Sequence, residues 1–265
     1  MKEIQYEVNE RIARLRINRP EARNACSVAM LMEIQDRIYE AQVDRDVHTL
    51  IITGNGENLT AGFDLKEVPG DQGPVAVQKH FRKASLYWHS IMHSLVRIRK
   101  PVIVGAQGMN IAGAIGFLTV ADFVIVSEDC RVSPAWISIG ICPDASSTYH
   151  LPRIIGLRRA IEWVISNRVA TAQEMLAWGL VSRVVPRAAL ESTVWETAKR
   201  LLPIPADLLG ETKFLMHHGT TATIEEQTEW EREGVLRSVG SENMLARWRE
   251  FMAKSRPATR EIQAR

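Results

Sequence analysis

The chain has 265 residues, of which 46% are hydrophobic and 24% charged, and these are the proportions of a globular protein with a sizeable core. A formal net charge of +2 gives no reason to expect nucleic acid or an anionic membrane as a partner. The three cysteines are widely spaced and include no CxxC pair, which argues against a zinc site and favours a reducing, cytoplasmic setting.

The N-terminal part of the chain predicts a strand hairpin followed by a helix. Apolar residues alternate over residues 4–17, which indicates two strands joined by a turn at Asn9-Glu10. Charges throughout this stretch leave no apolar run of the kind found in signal peptides. Ser27 has the position of an N-cap, so we expect a helix that runs to about Gln42.

Three short apolar segments further along the chain predict strands with helices between them. The segments are HTLIITGNG, PVIVGAQG and DFVIVSED, and the helices are expected near residues 75–97 and from about Gly113. Strands that alternate with helices predict an α/β fold with right-handed crossovers.

The segment from Pro101 to Ala121 needs separate treatment because it has no charged residue in 21 positions. An uncharged stretch of that length could span a bilayer. It also contains Gln107, Asn110 and four glycines. We therefore interpret it as a buried strand, turn and helix of an α/β protein, and we predict no membrane association.

The sequence after residue 150 is strongly helical. Thr171 has the position of another N-cap, and the tail consists of charged amphipathic segments. Pro203 and Pro205 mark a boundary between the core of strands and helices and this helical tail. We therefore expect a core over residues 1–204 and a helical C-terminal part over residues 205–265.

Two glycine-flanked stretches follow predicted strands and give the first signal of chemistry. They are LTAGFDLKE, which contains Gly62, and GMNIAGAIGFL, which contains Gly113. Each stretch alone is compatible with an ordinary turn or with close helix packing. Together they place backbone N–H groups at the carboxyl ends of strands, where two such groups can form an oxyanion hole. No GxGxxG fingerprint is present, which argues against a dinucleotide site.

Two further stretches hold isolated polar side chains among apolar neighbours. SPAWISIGICPDASST contains a single acid, Asp144, which is either a turn residue or a functional group. HFRKASLYWHSIMHSL predicts one helix that carries His89 and His93 four residues apart, as zinc ligands can be. The glutamate of HExxH is missing and no third ligand is evident, so we predict no metal site.

The stretches AGFDLKE, GMNIAGAIG and PAWISIGICPD resemble the crotonase (enoyl-CoA hydratase/isomerase) superfamily, together with the later segment LPRIIGLRRAIEWVISNRVATAQEMLAWGLVSRVVP. The resemblance covers nearly the whole chain. It implies an α/β fold with a crotonase-like ββα spiral core and a helical C-terminal part. It also implies an acyl-CoA thioester substrate, whose carbonyl oxygen would accept hydrogen bonds from the backbone N–H groups of Phe63, next to Gly62, and of Gly113.

The residues that vary within the superfamily imply the reaction. The two glutamates of the hydratases fall on Gly116 and Trp136, so ordinary hydration is not expected. The closer resemblance is to the 4-halobenzoyl-CoA dehalogenases of the superfamily. It implies that Asp144 attacks the ring carbon bearing the halogen, that His89 activates water and that Trp136 hydrogen-bonds to the nucleophile.

The same resemblance implies the substrate and its contacts. Phe81 and Trp88 match part of an aromatic ring pocket, and the implied activity is hydrolysis of 4-chlorobenzoyl-CoA to 4-hydroxybenzoyl-CoA and chloride. Arg23, Lys66 and Arg256 match positions near the CoA phosphates, with Arg256 contributed by a neighbouring subunit.

Further implications concern the assembly and the alternatives. Glu231 matches a carboxylate near the active site, and the assembly is expected to be a homotrimer. No cofactor is expected, because CoA is part of the substrate. The alternatives are another crotonase-type reaction, such as hydration or isomerisation of an enoyl-CoA, and a non-catalytic acyl-CoA or RNA binder.

Overall fold

The structure, a computed structural model, describes residues 2–254 and divides into two compact units. The first unit extends through Ala206 and the second begins at Asp207, whereas the sequence suggested a boundary between residues 204 and 205. The second unit contains the helices α8 (Ala206–His218), α9 (Ile224–Ser238) and α10 (Glu242–Lys254).

The first unit contains two sheets and seven helices among its described residues. The strands are β1 (Ile4–Asn9), β2 (Ile12–Ile17), β3 (Thr49–Gly54), β4 (Val102–Ala106), β5 (Met109–Ile111), β6 (Phe123–Ser127), β7 (Arg131–Ser133), β8 (Ala170–Thr171) and β9 (Arg183–Val185). The helices are α1 (Val28–Val43), α2 (Pro74–Arg97), α3 (Ala114–Val120), α4 (Ser147–Ile155), α5 (Leu157–Ser166), α6 (Ala172–Ala177) and α7 (Leu190–Leu201).

The larger sheet has the strand order β1-β2-β3-β4-β6-β9, and its strands are parallel except for the β1–β2 hairpin. Its central strands β3, β4 and β6 are apolar on both faces because both faces are covered there. On β3, Leu50 and Ile52 pack into a core shared with α1, α2 and α3, whereas Ile51 packs on the opposite face against Val194 of α7. The α/β class predicted from the sequence is confirmed.

The helix caps follow the local sequence. The Ser27 hydroxyl accepts a hydrogen bond from the Met30 amide at 3.0 Å at the start of α1. Thr171 and Glu174 form a reciprocal capping box at the start of α6. Both predicted N-caps are confirmed because a cap depends on residues only three positions apart.

The hairpin turn lies one residue later than predicted. Asn9 is paired with Ile12, so the two central turn residues are Glu10 and Arg11. Both have left-handed φ angles, +48° and +65°, which is the geometry of a type I′ turn. This geometry follows the right-handed twist of the flanking strands, although neither residue is the glycine or asparagine that usually signals it.

The strands of a second sheet, β5, β7 and β8, were not predicted. Its strands are two or three residues long, which is too short to show a period in the sequence. The uncharged segment from Pro101 to Ala121 supplies β4, β5 and α3 rather than one long helix. Within residues 2–254, no helix is both long enough and apolar enough to cross a membrane.

Candidate active site

A cavity in the first unit gathers six residues that the sequence singled out. They are Phe63, Phe81, Trp88, Gly113, Trp136 and Asp144. The remaining lining is almost entirely apolar and includes Leu65, Ile139 and Ile141. No sequence pattern indicates these three residues, because each lies in a loop or a short 3-10 turn without a helical or strand period.

Backbone pairing fixes the loop that contains Phe63. The Cys26 amide donates to the Gly62 carbonyl at 2.8 Å, and the Asp64 amide donates to the Cys26 carbonyl at 2.9 Å. In such a parallel bridge, the N–H of the intervening residue points to the opposite side. The Phe63 N–H accordingly has no hydrogen-bond partner in the described part of the chain.

The second predicted donor lies on the neighbouring loop. Ala112 has a left-handed φ of +47° and its amide donates to the Ser133 carbonyl at 2.9 Å, while the Gly113 N–H has no partner within residues 2–254. A Cβ added to Gly62 would lie 3.4 Å from the Gly113 nitrogen, so the two loops touch. Gly113 also immediately precedes α3, whose N-terminal dipole adds positive potential there.

Glycine is required at position 113 by its neighbour. A Cβ there would lie 2.2 Å from the Trp88 ring, which is closer than two non-bonded carbon atoms can approach. The indole therefore packs directly on the Gly113 backbone. The two features that the sequence suggested separately, a donor loop and an aromatic pocket, are in contact.

Buried amide and hydroxyl groups that the sequence reasoning missed hold these loops in place. The Asn110 side-chain oxygen accepts from the Leu59 amide at 2.9 Å and from the Thr60 amide at 3.2 Å. The Thr60 hydroxyl donates to the Asn24 carbonyl at 2.6 Å and accepts from the Gly62 amide at 3.0 Å. The signal for Asn110 was a polar residue inside an uncharged run, because such a residue is retained only when its hydrogen bonds are satisfied.

Asp144 carries the only carboxylate that lines the cavity, all of whose lining residues are described. The Trp136 indole N–H donates a hydrogen bond to it at 2.9 Å. Burial raises the pKa of Asp144 above its ordinary value, while the Trp136 hydrogen bond and the charge of His89 act in the lowering direction. An indole can orient this carboxylate without taking or giving a proton.

The backbone around Asp144 is held in an unusual conformation. Ala145 and Ser146, the next two residues, both have left-handed φ angles, +53° and +60°. The Ser147 amide and hydroxyl both donate to the Asp144 carbonyl, at 3.0 and 2.6 Å. Left-handed alanine and serine are unfavourable, and such strain is concentrated at functional sites. The turn follows a residue, Asp144, that lines the cavity.

The predicted base, His89, lies beside the cavity rather than in its lining. It follows Trp88 on α2 and lines a neighbouring groove with His93 and Arg97. It is nevertheless close enough to Asp144 for its charge to lower the pKa of that carboxyl.

The residues predicted to contact CoA, and Glu231, lie in different parts of the chain. Arg23 and Lys66 are exposed and have no ion-pair partner in the described part of the chain. The Arg23 carbonyl accepts from the Ala61 amide at 2.9 Å, so this residue lies next to the donor loop. Glu231 belongs to α9 of the second unit, where Gln227 donates to its carboxylate at 3.3 Å. Arg256 lies outside the described residues.

Comparisons with known proteins give a consistent result. Residues 7–256 match the family described as enoyl-CoA hydratase/isomerase. Two 4-chlorobenzoyl coenzyme A dehalogenases of Arthrobacter sp are each 38% identical over 252 residues, which is 95% of this chain and 91% of each relative. The crystal structure of an enoyl-CoA hydratase from Bacillus anthracis is similar with a TM-score of 0.89 at 25% identity, covering 97% of this chain and 98% of that one.

Proposed function

Because the chain belongs to the enoyl-CoA hydratase/isomerase family, also called the crotonase superfamily, we propose that it hydrolyses 4-chlorobenzoyl-CoA to 4-hydroxybenzoyl-CoA, chloride and a proton. The observation that carries this proposal is the single carboxylate, Asp144, which the Trp136 indole orients inside an aromatic cavity. The activity named for the two Arthrobacter relatives supports it.

Hydration by a pair of carboxylates is not favoured by the geometry. A Cβ at Gly116 would lie 2.8 Å from both the Ala145 side chain and the Met92 sulfur. A glutamate at that position would therefore need both neighbours to move. The other hydratase glutamate is replaced by Trp136. Asp144 is therefore the single carboxyl group of the cavity, and one carboxyl group cannot act as general acid and general base at the same time.

The first step needs the thioester end of the substrate to accept charge. A halide on an aromatic ring leaves only after a nucleophile has added to the ring, which places negative charge in the ring and on the thioester oxygen. The N–H groups of Phe63 and Gly113 stabilise that oxygen, and one such donor is typically worth about 3 kcal/mol in the transition state. The ring is thus activated from the end opposite to the halogen.

Asp144 then acts as the nucleophile. One carboxylate oxygen forms a bond to the ring carbon, and chloride leaves with the electron pair of the carbon–chlorine bond. The apolar lining keeps the carboxylate poorly solvated, and Trp136 orients it without neutralising it. The product of this step is an aryl ester of Asp144.

Hydrolysis of the ester completes the reaction. His89 takes a proton from water, and the resulting hydroxide attacks the ester carbonyl and expels the phenol oxygen. Asp144 is regenerated, and the proton leaves to solvent. Neither a metal nor a redox cofactor is needed in this scheme, and the exposed Arg23 and Lys66 are suited to the phosphates of CoA.

The experiment is to mix the purified protein with 4-chlorobenzoyl-CoA and to follow chloride release together with the ultraviolet spectrum of the thioester. We expect chloride and 4-hydroxybenzoyl-CoA to appear in equal amounts. The matched control is Asp144→Asn, which keeps an acceptor for Trp136 but is not a nucleophile, and it should release no chloride. Turnover of an aliphatic enoyl-CoA without any chloride release from the aroyl thioester would refute the proposal.

A further inference from the structure

The loop that carries the Phe63 N–H also contains a buried ion pair. A guanidinium nitrogen of Arg19 lies 2.6 Å from a carboxylate oxygen of Asp64, the residue that follows Phe63. The Asp64 side chain is only 6% exposed. It does not line the cavity, so its carboxylate is a buried charge that the proposed chemistry leaves unused.

The polar groups of Asp64 hold the residues on both sides of it. Its amide donates to the Cys26 carbonyl at 2.9 Å, which fixes the backbone directly after Phe63. One carboxylate oxygen accepts from the Lys66 amide at 3.0 Å, at the start of a short 3-10 turn. The other carboxylate oxygen is the one that bonds to Arg19. A single side chain therefore connects the Phe63 donor to Lys66.

Arg19 is itself anchored by three further contacts. The guanidinium nitrogen that bonds to Asp64 also donates to the Ala25 carbonyl at 3.2 Å. Another guanidinium nitrogen lies 3.2 Å from the Glu3 carboxylate, and the Arg19 amide donates to the Asn24 side-chain oxygen at 2.8 Å. Arg19 is thus fixed to the same segment, residues 23–26, that pairs with the loop containing Phe63.

Stability alone does not account for a buried ion pair. Taking two charges out of water costs about as much free energy as their attraction returns, so such a pair contributes little net stability. It does, however, penalise every arrangement of the loop in which the two groups separate, because an unpaired buried charge is costly. The pair therefore favours one position of Asp64 and of the Phe63 N–H next to it.

The proposed reaction depends on that position. Phe63 donates to the thioester oxygen, and Lys66 is suited to the CoA phosphates, so the two residues contact different parts of one covalent ligand. A misplacement of about 1 Å between reacting groups can slow a reaction about a hundredfold. A carboxylate that fixes both residues would keep the carbonyl on its donor while the phosphates are held.

We propose that Asp64, held by Arg19, is a positioning residue that sets the Phe63 N–H and Lys66 in a fixed arrangement for the two ends of the aroyl-CoA. This inference rests on the proposed function, because it uses the donor and the phosphate contact assigned there. Asp64 contacts no reacting atom and undergoes no covalent change. It acts through Phe63 and Lys66.

The first test measures the position of the donor without any dehalogenation. Asp64→Asn keeps the size of the side chain and one acceptor oxygen but loses the charge that pairs with Arg19. With saturating benzoyl-CoA, which has no halogen, we expect the red shift of the bound thioester to fall to about half, because one of two donors is displaced. The matched control is Asp122→Asn, whose carboxylate accepts from the Val102 amide at 2.7 Å outside the cavity lining, and it should keep the full red shift.

The second test separates positioning from stability. Asp64→Asn combined with Arg19→Met leaves neither charge unpaired, so its urea midpoint should recover towards the wild type relative to either single variant. Aryl-ester formation should nevertheless stay about tenfold slower than in the wild type, because the donor is still not held. In all three variants kcat should fall by a larger factor than KM rises, as expected for an interaction made in the transition state.

The outcomes distinguish this inference from the proposed function. An unchanged red shift in Asp64→Asn, or recovery of both stability and rate in the double variant, would overturn the positioning role and leave dehalogenation standing. A red shift that depends on Asp64 in a protein that releases no chloride from 4-chlorobenzoyl-CoA would support the positioning role and refute dehalogenation. A wild type that shows neither red shift nor chloride release would overturn both.

Discussion

At the scale of single residues, the decisive feature is the buried carboxyl of Asp144. Burial raises its pKa, which means that the folded state holds the proton more tightly than the unfolded state does. Stability is therefore lost as the pH rises through the folded-state pKa, and the ionised carboxylate destabilises the fold at neutral pH. This cost agrees with the nucleophilic role proposed for Asp144.

The cost of ionising the buried Asp144 predicts the effect of Asp144→Asn on stability. The amide keeps an acceptor for the Trp136 N–H but carries no charge. At about pH 8 we expect the variant to have a higher free energy of unfolding than the wild type. At about pH 3 we expect no such advantage, because Asp144 is then protonated in both the folded and the unfolded wild type. Urea unfolding over a series of pH values measures this difference. A difference that does not change with pH would contradict the assignment of the cost to ionisation.

The Trp136 indole N–H gives a second prediction at this scale. Trp136→Phe removes a hydrogen bond that lowers the pKa of Asp144, so that pKa should rise further. We expect the pH profile of aryl-ester formation to move to higher pH and the rate at neutral pH to fall about tenfold. Rapid-quench kinetics over a range of pH values would measure both effects.

A matched control for that change exists in the same unit. Trp163 is also buried, and its indole N–H donates to the Arg168 carbonyl at 3.0 Å, away from the cavity. Trp163→Phe should lower stability without moving the pH profile of ester formation. Equal profiles for Trp136→Phe and the wild type would show that the indole hydrogen bond does not control the nucleophile.

At the scale of elements, the proposed donor site consists of two loops and the start of helix α3. The loop after β3 is bonded to residues 23–26 and to Asn110 of β5, and the loop after β5 is bonded to Ser133 of β7. Each loop is therefore fixed by the rest of the fold before any substrate binds. Preorganised donors of this kind need no rearrangement as charge develops, which is why they are effective.

The close contact between Gly113 and Trp88 predicts the effect of Gly113→Ala. The new methyl group would collide with the indole, so the loop must shift and the Gly113 N–H must move. We expect aryl-ester formation to slow about a hundredfold, which is the usual cost of losing one such donor. A bound aroyl-CoA should also lose most of the red shift that a polarised carbonyl gives, as ultraviolet difference spectra would show.

The control for that variant is Gly70→Ala. Gly70 has no atom within 4 Å of an added Cβ and no left-handed φ, so the substitution should be neutral. If Gly113→Ala kept both the wild-type rate and the red shift, the Gly113 N–H would not be a donor to the thioester.

How far the sequence could predict each element depends on the distance between the interacting residues. The caps at Ser27 and Thr171 could be predicted because they are local. Asn110 could not be assigned a role, because it bonds to residues about fifty positions away. The same applies to β5, β7 and β8, whose pairing depends on the whole fold rather than on a sequence period.

For the candidate site, the sequence supplied the residue types and the resemblance supplied their roles. The structure adds that Asp144 and Trp136 are bonded and that the two donor loops touch. It also places His89 on the other side of α2 from most of the cavity lining, which no pattern in the sequence indicates. Such placement follows from helix packing, because residues adjacent in sequence point about 100° apart on a helix.

At the scale of the whole molecule, the first unit exposes an apolar stripe. Leu157, Ile161 and Ile165 are one turn apart on α5 and are 60%, 49% and 65% exposed. Contiguous apolar surface of this kind is usually an interaction surface. A homotrimer, which the resemblance to the family implies, would give the stripe a place to be buried.

Burial of this stripe between subunits predicts the oligomeric state of the wild type and of two variants. The wild type should have a mass near three times the 29.8 kDa chain by light scattering after size exclusion. Ile161→Glu combined with Ile165→Glu should shift the protein towards monomer, because burying two charges in an interface is costly. Glu162→Gln, on the same helix outside the stripe, should remain trimeric. A wild-type monomer would contradict the expectation.

The most direct measurement of the proposed chemistry is a single turnover in ¹⁸O-labelled water with the protein in excess over 4-chlorobenzoyl-CoA. If Asp144 forms an aryl ester, the phenol oxygen of the first product comes from its carboxylate. We therefore predict unlabelled 4-hydroxybenzoyl-CoA and one ¹⁸O atom in the peptide that contains Asp144, both measured by mass spectrometry. Labelled product with unlabelled Asp144 would mean that water attacks the ring directly, and it would contradict the role assigned to this residue.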